Sequence, residues 1–146
     1  MTDPLATTLT DDHRRCDHLL AAVERAAGGG DWGAAARETQ SFCSAMGHHF
    51  AFEEEELFPA LVDRWPMASG PAGVMRMEHA QMRRMLEELT SAVSARSGPD
   101  ALGILETLHL VIQQHNMKEE GILYPMADRV LAEETSALLA RWAGVC

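Results

Sequence analysis

The sequence predicts an all-α protein: an up-down-up-down four-helix bundle with an internal two-fold repeat and a short fifth helix at its C-terminal end. Three observations carry this. Apolar residues recur at three- and four-residue steps along four long stretches. Gly- and Pro-rich turns separate those stretches. The third is a repeated segment. His49-Phe50-Ala51-Phe52-Glu53-Glu54-Glu55-Glu56-Leu57-Phe58-Pro59 and His115-Asn116-Met117-Lys118-Glu119-Glu120-Gly121-Ile122-Leu123-Tyr124-Pro125 both read H-x-x-x-E-E-x-x-L-aromatic-P, 66 positions apart. The same step carries Asp12-His13 onto Glu78-His79 and Leu20 onto Leu86. At 146 residues the chain reads as one domain over 1–146, with repeat halves at about 9–66 and 72–132.

Residues 1–8 read as a tail. Thr10-Asp11-Asp12 leads or caps a first helix reaching about Ala27, with Leu9, His13, Cys16, Leu20, Val23 and Ala27 on its inner stripe. Gly28-Gly29-Gly30 ends it. A second helix starts near Asp31 or Trp32 and turns Phe42, Ala45, Met46, His49, Phe52, Glu53 and Ala60 inward. Pro59 removes one helical hydrogen bond near its end, and Pro125 repeats the disturbance, so the halves share an expected kink just beyond the paired residues. Pro66-Met67-Ala68-Ser69-Gly70-Pro71 is the central turn.

The third helix covers about Ala72–Ala95, with Met75, His79, Met82, Leu86 and Leu89 inward. Ser97-Gly98-Pro99-Asp100 is a turn in which Asp100 caps the fourth helix. That helix carries Ile104, Leu105, Leu108, Val111, Ile112, His115 and Glu119 inward. Residues about 133–143 form the fifth helix, packing Leu138, Leu139 and Trp142 on the bundle's end.

The chemistry lies in the spacing. Positions i and i+4 of an α-helix sit about 40° and about 6 Å apart on one face. His49 with Glu53, and His115 with Glu119, therefore present an imidazole and a carboxylate to one point. Chain lengths from His13 to its turn and on to His49 are about 14 and 17 residues; from His79 to its turn and on to His115 they are about 17 and 15. At about 1.5 Å per residue, all four histidines reach nearly one height. A single inward histidine is ordinarily a hydrogen-bonded core residue. Six ionisable groups at one depth are costly to bury without a cation, so the set reads as a metal site.

This constellation resembles the hemerythrin-like family, the HHE cation-binding domains, from about Leu9 to Met126. The resemblance implies a four-helix bundle with a non-haem centre of two iron ions, oxo- or hydroxo-bridged, ligated by His13, His49, Glu53, His79, His115 and Glu119, with Glu53 and Glu119 bridging. Oxygen carriers of the family have a second histidine four residues after the third-helix histidine, where this chain has Arg83. They also have His-x-x-x-x-Asp on the fourth helix, where this chain has His115-x-x-x-Glu119. The chain resembles the 4-His/2-carboxylate branch instead. That implies open coordination for O₂, NO or peroxide and favours redox chemistry or sensing, with an electron donor supplied by another molecule. Imidazole and carboxylate also suit Zn and Mn. The alternative is iron storage, delivery or sensing without turnover; a structural bundle with zinc or no metal is a third reading.

Other polar residues fall off the stripe. His48 lies about 100° from His49, His109 about 120° from His115, and His18 about 140° from His13, so these three are expected at the surface or at helix contacts. Glu54 and Glu120 read as hydrogen-bonding partners outside the ligand set or as solvated. Tyr124, about 180° from His115, reads as packing. Glu56 projects to about 20° from His49, as a spare ligand or, more simply, a carboxylate reaching solvent at the bundle's end. Cys16, one turn from His13, reads as core.

The formal charge of −10 argues against a nucleic-acid surface, which needs clustered Lys and Arg. No basic-then-apolar leader opens the chain, and no apolar run is long enough to cross a membrane. Three cysteines without a C-x-x-C pair argue against a disulfide framework and suit a reducing cytoplasm.

Overall fold

The computed structural model describes residues 4–144. It contains α1 (Leu5–Gly28), α2 (Trp32–Phe52), α3 (Phe58–Arg64), α4 (Ser69–Ser94), α5 (Gly98–Lys118), α6 (Tyr124–Val130) and α7 (Thr135–Gly144), with no strand among the described residues. A π-helical turn, Glu53–Leu57, joins α2 to α3, and a second, Glu119–Leu123, joins α5 to α6. Helix α1 packs on α2 and α5, and α4 packs on α2 and α5, so the long segments form a ring in which neighbours in sequence are neighbours in space. The chain is therefore all-α, as expected from its periodicity.

The interior has three levels. One apolar cluster includes Leu20, Phe42, Met82, Leu86, Leu105 and Ile112. A second includes Leu5, Leu9, Phe52, Leu57, Phe58 and Leu123. Between them lies a polar layer of buried His13, His49, Glu53, His79, His115 and Glu119.

Several boundaries differ from expectation. Helix α1 starts at Leu5, so the supposed tail is helical from there and Asp12 sits mid-helix. Its cap is remote: the Asp128 carboxylate on α6 accepts from the Leu5 and Ala6 backbone N–H groups at 2.7 and 3.3 Å. The central turn shrinks to Trp65 and a 3₁₀ turn, Pro66–Ala68, and α4 starts at Ser69 instead of Ala72. Ser97, in place of Asp100, caps α5, its side chain accepting from the Asp100 N–H at 3.4 Å. The shared disturbance of the two halves begins before the prolines. Each π turn opens at the glutamate of an H-x-x-x-E pair, and Pro59 and Pro125 follow at the second positions of α3 and α6.

Cys16 and Cys43 are free, and Cys146 lies outside the described residues. No helix among the described residues is long and apolar enough to cross a membrane.

Candidate metal centre

Six residues from six places in the chain converge in the polar layer: His13 on α1, His49 on α2, His79 on α4, His115 on α5, and Glu53 and Glu119 at the heads of the π turns. Their donor atoms form two groups. In each, one atom from every residue lies within 4.8 Å of the others: His13, His49, Glu53 and Glu119 in one, Glu53, His79, His115 and Glu119 in the other. The two carboxylates belong to both. This is the arrangement needed to hold two cations side by side under shared carboxylates.

Hydrogen bonding within the protein does not satisfy all of these atoms. His79 Nε2 lies 3.1 Å from Glu53 Oε1, and His115 Nε2 lies 3.2 Å from Glu119 Oε1. Yet both nitrogens, with Glu53 Oε1 and Glu119 Oε2, are buried and without a hydrogen-bond partner. Buried polar atoms are rarely left so, and an orphan needs a reason. Four orphans aimed at one another fit a cation, and a nitrogen–oxygen donor set of this kind suits Fe, Mn or Zn.

Each histidine is held from behind by a carboxylate on its other ring nitrogen. His49 Nδ1 donates to Asp12 Oδ2 at 2.8 Å and His115 Nδ1 to Glu78 Oε1 at 2.8 Å. His79 Nδ1 donates to Glu54 Oε2 at 2.7 Å and His13 Nδ1 to Glu120 Oε2 at 2.7 Å. These bonds hold a proton on Nδ1 and turn Nε2 inward, the orientation a metal-ligating histidine needs once Nε2 has given up its proton. They also obey the repeat, since the 66-residue step carries Asp12 onto Glu78 and Glu54 onto Glu120. The sequence signal was the acidic residue before His13 and His79 and the doubled Glu in both motifs. Sequence reasoning left Glu54 and Glu120 undecided and gave Asp12 and Glu78 no partner.

Cations back three of these carboxylates. Arg15 bonds Asp12 at 2.7 Å, Arg83 bonds Glu54 at 2.9 Å and Lys118 bonds Glu78 at 2.5 Å. Arg83, four residues after His79, thus grips the carboxylate that orients His79.

Tyr124 was misread. Its hydroxyl donates to Glu53 Oε2 at 2.5 Å and stands 2.9 Å from Glu119 Oε1, 3.0 Å from His49 Nε2 and 3.1 Å from His13 Nε2. The π turn is the cause. It absorbs one extra residue, so the nine steps from His115 act as about eight, and Tyr124 swings by about 100° into the site. Its repeat partner Phe58 has no hydroxyl and stacks on His79 at 6.0 Å. The phenol therefore marks the His13–His49 side alone.

The same widening turns Glu56 outward, where it accepts from Arg141 at 3.0 Å; the solvent-reaching reading holds. His18 and His109 are exposed and His48 is half-buried; none of the three joins either donor group.

Electrostatics follow from this packing. Burial opposes protonation of His49, but Glu53, Asp12 and Glu119 outweigh it and hold the imidazole up to about 10. His115 is raised against burial by Glu119, Glu78 and Glu53. Burial would raise Glu53, but His49 and His79 bring it well below the usual carboxylate range. Burial, with Glu119 and Glu53, pushes the Tyr124 phenol well above 10. Protons on His49 and His115 thus offset the carboxylate charge that a cation would balance.

A family model described as Hemerythrin HHE cation binding domain matches residues 5–127. The chain belongs to the hemerythrin HHE family. No curated protein and no solved structure matched it. A hemerythrin-like, cation-binding bundle accounts for both the polar layer and its duplicated plan. The matched span ends before α7.

Proposed function

We propose that this hemerythrin-like chain holds two iron ions and uses them to bind or react with a small molecule: O₂, NO or peroxide. The supporting observation is the pair of four-residue donor groups sharing Glu53 and Glu119, with four buried atoms left unpartnered. His13 and His49 would hold one ion, His79 and His115 the other, and the two glutamates both. Iron would supply reversible electron transfer at a point where a small ligand can be taken up.

The chain's own residues do the remainder. Asp12, Glu54, Glu78 and Glu120 keep each imidazole turned inward. Tyr124 donates a hydrogen bond from its hydroxyl to Glu53 at the His13–His49 side. Beside the ligand histidines lies a cavity of about 10 Å³ lined by Cys16, Met46, Phe50, Met82 and Ile112. It has room for about one water-sized molecule. Such a small, largely apolar chamber keeps bulk water from the centre. Turnover would draw electrons from a separate donor.

Metal analysis of anaerobically purified, iron-replete protein should give two irons per chain, and its absorption spectrum should change on adding O₂, NO or peroxide. Two irons with no spectral response would favour storage or delivery. Absence of bound iron would overturn the reading.

A further inference from the structure

Helix α7 lies beyond the region that matches the family, yet it returns to the metal centre. The Trp142 ring packs 4.6 Å from His48, 5.6 Å edge-on from His49 and 5.1 Å from Phe52. His49 is nearly inaccessible to solvent, and the indole is among the groups that cover it. The helix itself is lightly held. Leu138 is its one fully buried side chain, with Leu139 and Trp142 partly buried. One ion pair pins it, Arg141 to Glu56 at 3.0 Å, and a second, Arg64 to Glu134, holds the residue before it; all four side chains are at least partly exposed. Exposed pairs add little stability, and a short helix with one buried anchor opens far more easily than the bundle does.

We propose that α7 is a hinged cover over the His13–His49 half of the metal centre, with Trp142 as the residue that closes it. The bundle ligands set whether metal binds; the cover sets how fast solutes reach it. Glu56 is the latch on the bundle side, turned outward by the π turn to meet Arg141. This proposal rests on the metal-centre reading.

The test uses the full chain loaded with Co(II) and challenged with EDTA. In the parent protein, metal loss should become independent of EDTA concentration at high EDTA, because opening of α7 limits it. Trp142→Ala should speed loss at least about tenfold, and Trp142→Phe should restore most of the closure. Arg141→Glu should speed loss about two- to fivefold, the effect expected of an exposed pair, and adding Glu56→Arg should reverse it. In a Trp32→Phe, Trp65→Phe background, the remaining emission comes from Trp142 and should be quenched on Co(II) binding. Bound Co(II) with equal loss rates in all these variants overturns the cover and leaves the metal centre standing. Failure to bind any metal overturns both.

Discussion

Tyr124 donates its hydroxyl proton to Glu53 across the centre of the bundle, at 2.5 Å, joining residues 71 positions apart. Phe58 occupies the corresponding place in the other half. At this position the two halves differ by one hydroxyl. Tyr124→Phe removes that group while keeping the ring, and leaves Glu53 with one donor fewer. Hydrogen bonds to charged groups are worth about 1.5–3 kcal/mol, so metal-free Tyr124→Phe should unfold at lower denaturant by about that amount. Chemical denaturation of the metal-free pair measures it. Equal stability would mean the phenol contributes nothing to holding the carboxylates.

The carboxylates behind the histidines should matter nearly as much as the ligands. Asp12→Asn and Glu78→Gln each keep the shape and weaken the grip on Nδ1 of His49 and His115. Loss of such support typically lowers metal affinity by about 10–100-fold. Chelator competition should show that loss for both variants and none for Glu87→Gln on the exposed face of α4. Affinity unchanged in both would show that packing alone sets the ring orientation.

Much of this centre was readable before folding, and the limits have a physical origin. The three- and four-residue stripes placed His13, His49, His79, His115, Glu53 and Glu119 on inner faces because the α-helical turn of about 100° holds along α1, α2, α4 and α5 up to the glutamates. Beyond Glu53 and Glu119 the chain widens into π turns, so phases extrapolated across them fail: Tyr124 turns into the polar layer, and Glu56 leaves the inner stripe for solvent, where its simpler reading holds. The start of α1 was hidden because its cap, Asp128, is 123 residues from Leu5. The pairing of Asp12 with His49 crosses from one helix to another, and helical phase says nothing of that without the packing.

Protonation should trade against metal. His49 and His115 have folded values raised above 6.5, so their contribution to metal-free stability is complete below about pH 6.5 and is lost as pH rises, toward about 10 for His49. Glu53, Glu54 and Glu78 are lowered from 4.5 and Asp12 from 3.8, so theirs is present above those values and lost as pH falls. Metal-free protein should therefore be most stable between about pH 4.5 and 6.5. Metal must displace the imidazole protons, so its affinity should rise with pH. Thermal melting across this range should show the gap between loaded and metal-free protein widening as pH rises. A gap that is flat with pH would mean no proton leaves when metal enters.

Met82 is the most direct probe of the chamber. It is fully buried on α4 and lines the small cavity with Met46, Phe50 and Ile112 beside His13, His49 and His115. Its repeat partner is Cys16, a smaller side chain that lines the same cavity from α1. Met82→Ala deletes packed atoms the bundle cannot wholly replace, and such truncations cost about 2–5 kcal/mol. The six metal-layer residues are untouched, so metal content should not change. The enlarged space should let azide, longer than a diatomic, reach the metal faster than in the parent protein. Stopped-flow absorption of metal-loaded protein with azide measures this directly. A lowered melting temperature with azide kinetics unchanged would show that Met82 packs the core without bounding the route to the metal.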